Sequence, residues 1–278
     1  MLGQRILTAI VLLGLLVPAL FAPQPWPFYL LTLALIAAAG WEWGRLNQAG
    51  MVPALAMGGG LALACAAALW AGWPQRPPAQ AWWLAATVWV AGGALALRGG
   101  PSLWPRLPRL ARLALGLVAL WAAWLAMSHA RSIGINFILS VFCLVWAADI
   151  AAYFGGRRFG KRKLAPGISP GKSWEGVYSG MAGVFVLTLV WRAMESRVAT
   201  DSLSLYGRLL EQWGLLGGLA ALAFLAGMSV VGDLMESLVK RAAGAKDSSR
   251  LLPGHGGVLD RVDALLPVFP LALALLAW

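Results

Sequence analysis

The sequence predicts an all-α polytopic membrane protein of about nine transmembrane helices, with a polar site facing the cytoplasm. Three observations lead there. The chain is 60% hydrophobic and only 12% charged over 278 residues, whereas a soluble domain is nearer half apolar and a quarter charged. Its mean hydropathy is +0.74. Apolar stretches recur at about 6–22, 28–41, 53–73, 80–97, 110–128, 133–154, 174–192, 213–235 and 264–278, most of them near the roughly 20 residues that a membrane crossing needs. Disorder is excluded, because so much Leu, Ala and Trp can bury a core.

Each stretch has its own reading. Arg5 followed by the run from Ile6 to Val17 resembles a secretory signal, but Leu20-Phe21-Ala22 lacks small residues at both cleavage positions and further spans follow. It reads as an uncleaved first helix. The second stretch, closing before Glu42, is short for a crossing, and Pro267 and Pro270 interrupt the short last one. The sixth and eighth carry Asp149 and Asp233 near their ends. Gly176/Gly180 and Gly214/Gly218 have the small-xxx-small spacing of helix packing. The sixteen Trp mostly flank spans and read as interfacial anchors. His129 reads as interfacial and without a catalytic role. No repeat or low-complexity linker divides the chain, so residues 1–140 and 141–278 read as two parts of one integrated bundle.

The charge is +11, from 22 basic and 11 acidic residues. In a soluble chain that would suggest nucleic acid; in a membrane chain it concerns topology and anionic headgroups. When loops are numbered alternately, 17 of the 22 Lys and Arg fall on the side holding the N-terminus and the segments 42–52, 98–109 (extended to Arg112 just inside the fifth span), 155–173 and 236–263. The positive-inside rule makes that side, and the N-terminus, cytoplasmic. Most acidic residues lie there too, which charge sorting does not require. Cys65 and Cys143 sit in apolar runs without metal or disulfide spacing.

The chemistry concentrates on that side. Asp149 and Asp233 lie within apolar runs, where a carboxylate costs about 2.5–3.5 kcal/mol on insertion scales. Asp233, Glu236, Ser237 and Lys240 share one helix face. Lys246-Asp247 precedes a Gly-rich turn around His255, after which Asp260 and Asp263 share a face. Asp233, Asp260 and Asp263 together offer oxygen ligands for a hard cation, Mg²⁺ rather than zinc. Gly171-Lys172-Ser173 is not a P-loop, because Pro166 stands where that motif needs Gly. It is a Gly- and Lys-rich loop leading to a helix N-terminus, a place suited to anions.

The run Ser237-Leu238-Val239-Lys240-Arg241, then Lys246-Asp247, then Pro253-Gly254-His255-Gly256-Gly257-Val258-Leu259-Asp260-Arg261-Val262-Asp263 closely resembles the signature of phosphatidate cytidylyltransferases, the CDP-diacylglycerol synthases. Asp149 to Tyr153, Gly160-Lys161, Leu164-Ala165-Pro166, Ser169 to Ser173 and Trp174-Glu175-Gly176 resemble further segments of that family, which often has Thr at Ser173. The likeness covers about 145–263, so residues 141–278 are expected to be the catalytic part.

The resemblance implies transfer of the cytidylyl group from CTP to phosphatidate, giving CDP-diacylglycerol and pyrophosphate at an active site on the cytoplasmic face of the inner membrane. It implies Asp233, Asp260 and Asp263 as Mg²⁺ ligands with Ser237 beside them, and Lys240, Arg241 and Lys246 as phosphate-neutralising groups. Lys172 and Ser173 are expected at a substrate phosphate, His255 at a phosphate or its loop, and Asp247 and Arg261 on substrate. Asp149 and Glu175 fall near the site without a set role. A second cation such as K⁺ is left open. The expected partners are CTP, phosphatidate and anionic membrane lipid, with no nucleic acid; family precedent favours a homodimer. The rival class is an ion-coupled transporter, which also uses intramembrane carboxylates.

Overall fold

The computed structural model describes residues 2–277; Met1 and Trp278, and the side chains of Leu2 and Arg5, lie outside the described residues, and so does the topological charge counted at Arg5. All nine apolar stretches are helical there. In order they form α1 (Leu2–Phe21), α2 (Trp26–Leu46), α3 (Met51–Trp70), α4 (Ala79–Ala86) and α5 (Gly93–Leu103) joined by a π-turn, α6 (Arg109–Ile133), α7 (Ile135–Phe159), α8 (Trp174–Glu195), α9 (Leu205–Ala242) and α11 (Leu265–Leu276). The single turn α10 (Leu259–Val262) precedes α11. Six of them, counting Ala79–Arg106 once, are long and apolar enough to cross a membrane; Ile6–Phe21 and α11 are shorter apolar helices.

The all-α expectation needs one amendment. Between α7 and α8 the chain forms an antiparallel hairpin of β1 (Lys163–Ala165) and β2 (Ser169–Ser173), with Lys163 opposite Ser173. Glu175 holds its base, accepting from the amides of Lys161 and Arg162 at 3.1 and 3.2 Å and pairing with the Arg162 guanidinium at 3.3 Å. Ser173 then caps α8, its hydroxyl accepting from the Gly176 amide at 3.2 Å.

Helix α2 runs past Glu42 instead of closing before it, because protein donors surround that carboxylate and replace its water. Helix α11 survives its prolines: Pro267 lies in the first turn, where no intrahelical N–H bond is needed, and Pro270 is carried inside the helix. Gly214 marks a break within α9 at φ +66°, with open space where a Cβ would point. It bends the chain and is no packing contact, contrary to its spacing. Gly180 does pack: a Cβ there would lie 2.9 Å from the Ala148 carbonyl, so α7 and α8 approach closely. Several tryptophans are core residues rather than anchors. Trp124 is buried with its indole N–H on the Thr32 hydroxyl, and Trp104 is buried with its N–H on the Asn47 side chain.

Hydrogen bonds between helix ends sort them into two sets. At one end Thr8 donates to the Pro253 carbonyl and Trp104 reaches Asn47. At the other, Arg131 donates to the Ala22 carbonyl, Asp201 accepts from the amide of Ile135, and Trp213 donates to the Leu275 carbonyl. The signature residues all belong to the first end. Cys65 and Cys143 are free thiols.

Candidate active site

At that end, α7, the hairpin, the start of α8 and α9 enclose a cavity of about 520 Å³, lined by Asp149, Tyr153, Arg157, Lys172, Ser173 and Asp233 among others. Asp149 and Tyr153 share a face of α7, so one helix presents a carboxylate and a phenol to the same space. The hairpin carries Lys172 across to α9, where its Nζ lies 2.7 Å from an Asp233 oxygen, with the two side chains 24% and 33% exposed. The pair is therefore reachable from the cavity. Ser237 donates to the other Asp233 oxygen at 3.2 Å.

A second polar cluster lies one turn further along α9. Lys240 bridges Glu236 and Asp260, the latter at 2.5 Å, and its side chain is 12% exposed. The second Asp260 oxygen accepts from the Ser248 amide, the Ser248 hydroxyl and the Gly257 amide at 2.9, 2.9 and 2.7 Å. Burial alone would raise the Asp260 pKa, but Lys240, Glu236 and these amides together hold it down to about 2. Gly256, at φ +85°, makes room here; a Cβ on it would fall 2.6 Å from that same oxygen.

Asp263 stands on the other side, toward the cavity carboxylates. Burial first, then the charge of Asp233, push its pKa up to about 7, with the Ala264 amide and Lys240 opposing and Asp149 adding to the rise. Its backbone carbonyl presses on Gly232, where a Cβ would come within 2.3 Å. That contact fixes α10–α11 against α9.

The expected site residues thus divide. Lys172, Ser173, Asp233 and Ser237 come together at the cavity, with Asp149 among its walls and Asp263 in electrostatic reach. Asp260 stands apart from them, with one oxygen on Lys240 and the other on Ser248 and Gly257. Lys240 is neutralised by two carboxylates and is not presented to a phosphate. The Ser173 hydroxyl is engaged as a cap and is buried. Arg241 lies 3.5 Å from the Ile168 carbonyl, linking α9 to the hairpin turn. Arg261 donates to the His255 carbonyl at 2.5 and 3.0 Å, and His255 Nδ1 is buried without a hydrogen-bond partner among the described residues. Among the described residues neither Lys246 nor Asp247 forms an ion pair, and Asp247 packs near Gly256.

Among the described residues no three His, Cys, Asp or Glu side chains are grouped to hold one metal ion, so the expected Asp233/Asp260/Asp263 cage is not assembled. Mg²⁺ usually takes one or two carboxylates and completes its shell with water and phosphate oxygens. Asp149 and Asp233 line the cavity beside Lys172, and Asp263 lies within electrostatic reach of Asp233.

Sequence reasoning missed Glu42. It is fully buried and receives hydrogen bonds from Val258, Leu259, Ser248 and Ser249. An acid closing an apolar run was a visible signal, but its partners lie more than 200 positions away.

The fold and site are those of an α-helical bundle with membrane-spanning segments whose end-facing cavity is lined by Lys172, Asp149 and Asp233. The profile of the Cytidylyltransferase family matches residues 3–278, and the chain belongs to that family. It is 41% identical over 280 residues to the phosphatidate cytidylyltransferase of Pseudomonas aeruginosa, covering 99% of this chain and 97% of that one. The protein of that name from Haemophilus influenzae is 36% identical, over 97% and 96% of the two chains. That from Staphylococcus aureus is 42% identical over 52% and 51%.

Proposed function

We propose that this protein is a phosphatidate cytidylyltransferase, joining CTP and phosphatidate to give CDP-diacylglycerol and pyrophosphate. The observation that carries the reading is the Lys172–Asp233 pair on the wall of the 520 Å³ cavity, in a chain aligned end to end with relatives bearing that name. The phosphatidate phosphate is ionised near pH 7, so the reaction needs no general base. A lipid phosphate oxygen bonds to the α-phosphorus of CTP, the bond from that phosphorus to the bridging oxygen breaks, and pyrophosphate leaves. Catalysis is then mainly alignment and charge neutralisation.

Lys172 and Arg157, which both line the cavity, would meet the triphosphate. Asp233 and Asp263 would hold Mg²⁺, which when bound supplies neutralising charge to the phosphate oxygens. Asp233 in turn keeps Lys172 in place, and Ser237 orients Asp233. Lys240 and Asp260 act as a braced pair that fixes the signature segment. The 17-to-5 distribution of Lys and Arg supports a cytoplasmic active site and N-terminus, in an inner membrane. No observation favours the transporter: the carboxylates gather at one end of the bundle.

The test is purified protein in lipid nanodiscs with labelled CTP, phosphatidate and Mg²⁺. Metal-dependent release of pyrophosphate with stoichiometric CDP-diacylglycerol is expected. Intact protein that forms neither product overturns the reading.

A further inference from the structure

We infer that Glu42, in the N-terminal part of the chain, is a positioning residue for this site: it holds the segment 248–259 so that the Asp260–Lys240 brace keeps the signature segment, and with it Asp263, in place beside the cavity. The inference rests on the proposed activity. Glu42 is wholly buried on α2. Its Oε1 accepts from the Ser249 hydroxyl at 2.6 Å and the Val258 amide at 2.9 Å. Its Oε2 accepts from the Leu259 amide at 2.8 Å.

The Ser248 hydroxyl is the link onward. It lies 3.1 Å from Glu42 Oε2 and 2.9 Å from Asp260 Oδ2, so its one proton is shared between two carboxylate oxygens held on either side of it. Asp260 then meets Lys240 at 2.5 Å. A path of direct contacts therefore runs from α2 to α9. Gly257 is needed at its centre: a Cβ there would lie 2.1 Å from the Ser248 hydroxyl and 2.3 Å from Glu42 Oε1.

Simple helix packing would not call for this arrangement. A buried carboxylate is costly unless its oxygens are filled, and apolar side chains of similar volume pack as well or better. A carboxylate with donors on both oxygens fixes an irregular segment in one geometry, as an apolar contact does not. The residues it fixes are the ones immediately before Asp260 and Asp263. The first 140 residues, which match the signature nowhere, thus supply one member of the site's framework.

The experiment compares wild-type, Glu42→Gln, Glu42→Asp, Ser248→Ala and the Glu42→Gln/Ser248→Ala double variant, each full-length in nanodiscs. In Glu42→Gln the amide must present N–H to donors on one side. We expect kcat to fall on the order of 10- to 100-fold, with KM for CTP changing less than about twofold, and partial recovery in Glu42→Asp. The double variant should lose no more than the worse single one, since both act through Asp260. Hydrogen exchange read on peptides spanning 246–263 should rise in Glu42→Gln while α7 and α8 stay protected. Unchanged kcat in Glu42→Gln, or multiplying losses in the double variant, overturns the inference. If even wild-type makes no product, the enzymatic reading fails instead, and unchanged exchange at 246–263 would still reject the positioning.

Discussion

Lys172 Nζ lies 2.7 Å from Asp233 Oδ2, and the contact joins the β-hairpin to α9 across the cavity. Neither element would place its charge correctly alone. The hairpin gives Lys172 a fixed direction of approach, and Ser237 fixes the Asp233 carboxylate from the other side.

Removing this lysine leaves Asp233 without its ion partner beside Asp149 and Asp263. Lys172→Met is expected to lower kcat/KM for CTP by about 100-fold or more. Lys172→Arg should recover only part, because a planar guanidinium does not replace a compact ammonium. Steady-state kinetics on folded variants decide it; near-normal kcat/KM in Lys172→Met would remove the residue from the site.

The two sides of the signature segment should respond differently to metal. Asp233→Asn and Asp263→Asn are expected to raise the Mg²⁺ concentration for half-maximal activity at least about tenfold, as loss of a ligand should cost no less than loss of an outer-shell partner. Asp260→Asn should instead weaken the fold locally, because Lys240 loses one of the two carboxylates it bridges; breaking a buried pair costs roughly 3–5 kcal/mol. Mg²⁺ titrations and thermal unfolding of the three variants separate the effects. A raised Mg²⁺ requirement in Asp260→Asn with unchanged stability would restore it as a ligand.

Gly232 tests the contact that seats Asp263. A Cβ there would fall 2.3 Å from the Asp263 carbonyl and 2.9 Å from Pro267. Gly232→Ala is expected to cost about 1–3 kcal/mol from overpacking and to depress activity by shifting Asp263. Gly227→Ala, on the same helix with its nearest neighbour at 3.7 Å, should leave both unchanged. Equal behaviour of the two variants would show that the seat is unimportant.

At the opposite end, Asp201 caps α7, accepting from the amides of Ile135 and Asn136 at 2.5 and 3.0 Å. Burial acts to raise its pKa, but these amides and the Ser202 hydroxyl outweigh it and lower the pKa below the ordinary aspartate value. The contribution to stability is therefore present above about pH 4, the unfolded value, and fades as pH falls through the lowered folded value. Because the residue is exposed, Asp201→Asn should cost at most about 1 kcal/mol. The difference from wild-type in melting temperature should be visible at pH 7 and shrink at pH 3. A difference that grows on acidification contradicts the capping role.

The helical stretches were legible because a span is a local property: some twenty apolar residues identify themselves without reference to the rest of the chain. Lys172 and Asp233 were legible as polar residues in conspicuous settings. The hairpin was not, since 163–173 is Gly- and Pro-rich with no alternating pattern, and its two strands are held by Glu175 and by Lys163 Nζ on the Pro170 carbonyl. The break at Gly214 could not be told from a packing glycine, because both need only an absent Cβ.

The sequence by itself determined a membrane bundle, an uneven distribution of charge between its two ends, and which segments hold the polar chemistry. These follow from composition and spacing, which depend on neighbours along the chain. Only the tertiary structure decided that Asp260 faces Lys240 while Asp233 faces Lys172, and that Glu42 reaches Ser248, Val258 and Leu259. The aspartates are chemically alike. What separates their roles is which donors the folded chain brings to each oxygen, and those donors come from distant segments.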